Sequence, residues 1–154
     1  MNERNSLKQV NLYYIKSKFN DIIINLCSRL IKEKYKILIV TNSIQENDEL
    51  DNFLWVKKKE SFIPHRKFSD PYYKDERITL FCGDQDQIKS FGGFDILLFS
   101  PNVLVKKLFN FNKLFLFSNF VDNTLISVHK KKLQRSRFKV KTLIEKQNHM
   151  WEVF

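Results

Sequence analysis

The sequence predicts an α/β fold: a single domain over residues 1–154, with a mostly parallel central sheet flanked by helices. Two observations lead there. "KILIV" at 36–40 is a continuous apolar run, the pattern of a strand covered on both faces, and "ITLFC" at 78–82 and "DILLF" at 95–99 read as two further strands. The segments between them carry helical periodicity or turn residues, and such alternation argues for parallel pairing. A chain of 154 residues with 43% hydrophobic content fills one core without help from disulfides or metals.

The elements follow in order. "VNLYYI" at 10–15 is β-branched and aromatic, and reads as a strand. From Ser17 to Lys34 the apolar residues Phe19, Ile22, Ile23, Leu26 and Leu30 are spaced three and four apart, one stripe along a helix. After "KILIV", Ser43 and Glu46 have capping-box spacing, so a second helix starts at Ser43, with Leu50, Phe53 and Leu54 on its buried side. "ESFIPHRKFSDPYY" at 60–73 reads as loop, because Pro64 and Pro71 restrict the backbone at and before each proline. A turn-rich stretch ending in Gly92-Gly93 separates the strands at 78–82 and 95–99. A short helix near 102–109, a strand "KLFLF" at 113–117 and a long helix over 123–147 complete the prediction.

Lys and Arg number 27 against 17 Asp and Glu, a net charge of +10 that favours acidic partners: nucleic acid or an acidic protein segment. Cys27 and Cys82 lie far apart in apolar surroundings and read as reduced core residues of a cytoplasmic protein. No apolar run reaches the ~18 residues of a membrane span, and "MNERNSLKQV" lacks the apolar stretch of a signal peptide. The expectation is therefore a cytoplasmic protein with no membrane contact.

Catalytic chemistry finds little purchase. A Rossmann-like layout would hold a nucleotide through glycines that let backbone N–H groups approach phosphate oxygens. The turn after the first strand, "KSKFND", has none, and neither G-x-G-x-x-G nor G-K-[ST] occurs. His65, His129 and His149 share no metal-ligand spacing with either cysteine. Asp84 and Asp86 have acid-x-acid spacing, which holds a divalent ion in some turns but more often marks solvated turn residues. No G-x-S-x-G elbow exists. We expect no catalytic residue, no cofactor and no metal site, and a structural role for His65.

On a helical wheel the last helix places Ile126, His129, Leu133, Val140 and Ile144 on one face, against the sheet. Its opposite face carries Lys131, Arg135 and Lys139, each four apart, with Phe138 beside them. From Lys130 to Lys141 inclusive there are seven basic residues and no acid. Two readings stay open here: a solvated face with one stray aromatic, or an acceptor for an acidic ligand.

The stretch "LDNFLWVKKKESFIPH" closely resembles the segment that marks the chi subunit of the bacterial DNA polymerase III holoenzyme. Leu50, Asp51, Leu54, Trp55, Glu60, Ser61, Phe62, Pro64 and His65 match that pattern in register. "DILLFS", "RSRFK" at 135–139 and "LYYI" resemble further family elements, so the likeness covers most of the chain. It departs at Lys141, where the family often has a second aromatic, and at Lys57 to Lys59, where the family's turn is less charged.

The resemblance implies a non-enzymatic α/β adaptor in DNA replication. Such a subunit joins the clamp-loader assembly, usually through a small psi-like subunit, and holds the acidic C-terminal tail of single-stranded DNA-binding protein. By resemblance, Trp55, Phe62, Ile63, Pro64 and His65 form the partner-docking surface. Lys131, Arg135, Phe138 and Lys139 receive the tail, and nucleic acid is contacted mainly indirectly. The alternative is a basic protein that binds single-stranded nucleic acid itself, which would weaken steeply with salt.

Overall fold

The structure, a computed structural model, describes residues 8–56, 65–68, 77–91, 93–101, 103–105, 112–119, 131, 133, 138–147 and 150–153. The chain runs β1 (Gln9–Ile15), α1 (Phe19–Lys32), β2 (Ile37–Val40), α2 (Ile44–Val56), β3 (His65–Lys67), β4 (Ile78–Phe81), a 3-10 helix (Gln85–Ser90), β5 (Ile96–Phe99), β6 (Lys113–Asn119), β7 (Lys139–Glu145) and β8 (Trp151–Val153). The strands form one sheet in the order β3-β4-β2-β5-β6-β1-β7-β8. Among the described residues every pairing is parallel except β7 with β8. The α/β architecture with a mostly parallel sheet is the one the sequence predicts.

Side-chain alternation along the central strands builds two apolar layers. Ile37, Ile39, Ile96, Leu98, Phe115 and Phe117 face the side covered by α1 and α2. Leu38, Val40, Leu97, Phe99, Leu114 and Leu116 face the other, packed with Ile88, Val103, Val105 and Leu133. Both faces are dry, which explains why β2 and β5 are uninterrupted apolar runs and why β4 is apolar but for the buried Thr79. Among the described residues, no helix is long and apolar enough to cross a membrane.

α1 buries Ile22, Ile23, Leu26 and Leu30 from its predicted stripe. It ends in a Schellman motif, with Tyr35 N–H donating to Leu30 O at 3.2 Å and Lys34 N–H to Ile31 O at 2.8 Å. That motif needs a left-handed residue, and Lys34 supplies it at φ 67°. α2 starts where expected, the Ser43 hydroxyl accepting the Glu46 N–H at 3.1 Å.

Three expectations are overturned. Within the predicted loop 60–73, His65–Lys67 is an edge strand paired with β4. Its charged residues, Arg66 and Lys67, suit a position with one side unpaired. Residues 103–105 are not helical, while 102 and 106–109 of the predicted short helix lie outside the described residues. The long helix over 123–147 does not continue: Lys131 and Leu133 are helical, but Lys139–Glu145 is β7 and pairs with β1. The reason lies in Val140, Thr142 and Ile144, β-branched residues at every second position, which favour a pleated strand over a helix. The wheel that placed Val140 and Ile144 beside Leu133 therefore fails; His129 lies outside the described residues.

Candidate functional site

The edge of the sheet at β3 brings together three residues of the marked stretch. Leu50 and Leu54 sink the inner side of α2 into the core, which turns Asp51 and Trp55, one helical turn apart, toward β3. His65, the first residue of β3, is 1% exposed. Its Nε2 lies 3.2 Å from Asp51 Oδ1 and 3.3 Å from the Asp51 carbonyl oxygen. For either contact to be a hydrogen bond, Nε2 carries the proton and donates it. The Trp55 ring covers the imidazole at 4.7 Å between centroids, tilted by 53°. Trp55 itself is 51% exposed and Val56 beside it 64%. A second tie, Lys67 Nζ to Asp48 Oδ1 at 3.3 Å, holds β3 to α2.

The result is an exposed indole resting on a sealed imidazole. A carboxylate that orients a histidine is also the arrangement behind a general base. Here the ring lies under Trp55 with almost no surface left, so a substrate has no approach to it. Phe62, Ile63 and Pro64 of the predicted docking set lie outside the described residues.

The predicted basic face is assembled differently from the helical wheel. Leu133 is buried in the layer that faces away from α1 and α2, and Phe138 packs partly buried against the same layer. Val140 adds an apolar surface that is 37% exposed. Lys131 is exposed and helical. Lys139 is exposed too, but its register partner in β1 is Gln9, two residues before Asn11 and four before Tyr13. Tyr13 packs with Leu143 in the α1 layer, so Lys139 and Lys141 point to the α1 side of β7 and Val140 to the other. The strand thus separates Lys139 from the face that holds Leu133. Arg135 lies outside the described residues.

The turn between β1 and α1 is where an α/β fold of this layout would cradle a phosphate. It is filled from within. Glu145, 2% exposed at the end of β7, accepts the Lys16 N–H at 2.6 Å and the Ser17 N–H at 2.9 Å on Oε1, and the Ser17 hydroxyl donates to Oε2. The protein's own carboxylate takes the anion position. Asp84 acts just as locally, its side chain accepting the Asp86 N–H at 2.9 Å to cap the 3-10 helix. Among the described residues no group of three or more His, Cys, Asp or Glu side chains is placed to hold a metal ion.

The family model for the DNA polymerase III chi subunit, HolC, matches residues 7–141. The chain belongs to this family. No curated protein matches the chain closely enough to count as a relative. Membership associates the chain with DNA polymerase III and DNA replication, as an accessory subunit. The chi match spans the α2–β3 edge with Asp51, Trp55 and His65, and stops at Lys141, before Glu145 and β8.

Two roles lie beyond sequence reasoning. Asp51 belongs to the family motif without a role that the motif explains, and its spacing of four from Trp55 is the available signal. Glu145 carries no signal, because its partners stand at the opposite end of the chain.

Proposed function

We propose that this chi-family chain is a non-catalytic adaptor, linking the clamp-loader complex of DNA polymerase III to single-stranded DNA-binding protein. The observation that carries the proposal is Trp55: a large aromatic, 51% exposed, on a rigid base at the sheet edge. Aromatic anchors of this kind dominate protein interfaces because they bury much area while losing few rotamers. Val56 widens the apolar patch, and by family resemblance Phe62, Ile63 and Pro64 extend it. The partner is a clamp-loader or psi-like subunit. The test is a pull-down from native cell extract, with partners identified, using the wild type and Trp55→Ala. Loss of a polymerase subunit from the variant alone supports the docking surface, and identical captures count against it.

The tail of single-stranded DNA-binding protein is proposed to bind beside Phe138. Phe138 and Val140 offer an apolar lip, Lys131 stands as a point charge, and Arg135 clamps a carboxylate through two N–H groups. Lys139 reaches the tail only from the strand end, so its contribution is smaller than that of Arg135.

A second reading has its own observation. Lys139 and Lys141 are exposed on the same side of β7, on a protein of charge +10. These are the elements of a direct contact to single-stranded nucleic acid. Oligonucleotide affinity that falls steeply with salt and drops in Lys139→Ala/Lys141→Ala would favour it.

A further inference from the structure

We infer that Asp51 is a positioning residue for the docking anchor: through His65 it fixes the pose of Trp55. The inference rests on the reading of Trp55 as a docking residue and adds the side chains that hold it. Trp55 sits in the last turn of α2 with half its surface in water, where an indole is free to change rotamer unless something supports it. The support is the His65 ring at 4.7 Å. That ring is held in turn by Asp51, whose carboxylate and carbonyl oxygens both lie within 3.3 Å of Nε2. Asp51 is mostly covered, with 16% of its side chain exposed, and His65 has none. His65 is therefore unable to touch a partner while Trp55 covers it. Its role at the docking surface is to present the indole.

An anchor held in its bound rotamer loses less freedom on association than one that must be ordered, and this difference appears as affinity. Asp51→Ala removes Oδ1 and loosens the imidazole beneath the indole. Asp51→Asn keeps an acceptor oxygen at the same place. The two variants separate positioning from charge.

The experiment uses the full chain with Trp151→Phe, which leaves Trp55 as the sole tryptophan. Two quantities are read: quenching of Trp55 fluorescence by acrylamide, and affinity for purified clamp-loader complex. Asp51→Ala is expected to raise the quenching constant and to weaken binding at least ~5-fold, while Asp51→Asn restores most of both. The Asp51→Ala and His65→Phe effects on binding should be non-additive, because both break one contact. If Asp51→Ala does not fold, His65→Phe reads the same link from its other end.

Unchanged quenching and binding in Asp51→Ala overturns the inference, as does an Asp51→Asn variant as impaired as Asp51→Ala. Failure of the docking reading looks different. Trp55→Ala would then bind clamp-loader complex as the wild type does, while the quenching arm still reports whether Asp51 holds the indole.

Discussion

Glu145 reaches across 128 positions of sequence to Ser17, taking both its backbone N–H and its hydroxyl. With the Lys16 N–H as well, the carboxylate satisfies the donors of the β1–α1 turn and ties β7 to the start of α1. This contact holds the end of β7 against the β1–α1 turn and fills the place a phosphate would take.

Removing that buried carboxylate leaves three part-buried donors without their acceptor. Glu145→Ala is expected to cost about 2–3 kcal/mol, in the range of hydrogen bonds to a charged group, and Glu145→Gln less. Urea unfolding measures both. A loss below about 0.5 kcal/mol for Glu145→Ala would mean that water replaces the carboxylate without penalty.

Leu54 and Trp55 are neighbours in sequence and opposites in environment: Leu54 is 1% exposed and Trp55 51%. Leu54→Ala is expected to cost about 2–5 kcal/mol, and Trp55→Ala well under the ~3–5 kcal/mol of a core tryptophan. Thermal or denaturant melts of the two variants decide. A Trp55→Ala variant as unstable as Leu54→Ala would make Trp55 a core residue.

Lys34 occupies the left-handed position of the α1 Schellman motif at φ 67°. Glycine takes that conformation without the Cβ conflict, so Lys34→Gly should stabilise by about 1 kcal/mol. The bond from Arg77 Nη1 to the Lys34 carbonyl, at 3.0 Å, is available to either residue. A lowered melting temperature in Lys34→Gly contradicts this account.

The cysteines should react in two classes. Cys27 is fully buried on the inner face of α1, and burial pushes its thiol up to about 12. A raised thiol pKa keeps the neutral, unreactive form through the ordinary pH range, so raising the pH to about 9 exposes no thiolate there. Cys82, just after β4, is part-exposed and does not share that burial. Titration with a thiol reagent should count one fast thiol in the native protein and two in denaturant. Rapid reaction of both in the native state would show that α1 opens readily.

The legible parts of the fold are those fixed by local chemistry. β2, β4 and β5 announce themselves because strands dry on both faces are apolar nearly throughout, with Thr79 of β4 as the exception. α1 follows from its three-and-four spacing, and the start of α2 from Ser43. β3 is hidden because His65-Arg66-Lys67 is short and polar and gains its strand character only by pairing with β4. β7 reads wrongly as helix because Lys131, Arg135 and Lys139 happen to be four apart and imitate a helix face. The competing signal, Val140, Thr142 and Ile144 at period two, is present in the same residues. Of the candidate site, Trp55 is legible from the family motif, and Cys27 as a core thiol from its apolar neighbours. Cys82 is less buried than its neighbours suggest. The support beneath Trp55 requires the tertiary meeting of α2 with β3.

The central claim is that this chain bridges two assemblies. It is tested most directly by immobilising an oligonucleotide coated with single-stranded DNA-binding protein and measuring retention of clamp-loader complex with and without the chain. The account predicts retention only when the chain is present, and its loss with Trp55→Ala on one side or with a binding protein lacking its acidic C-terminal tail on the other. Retention that does not depend on the chain, or that survives both changes, would contradict it.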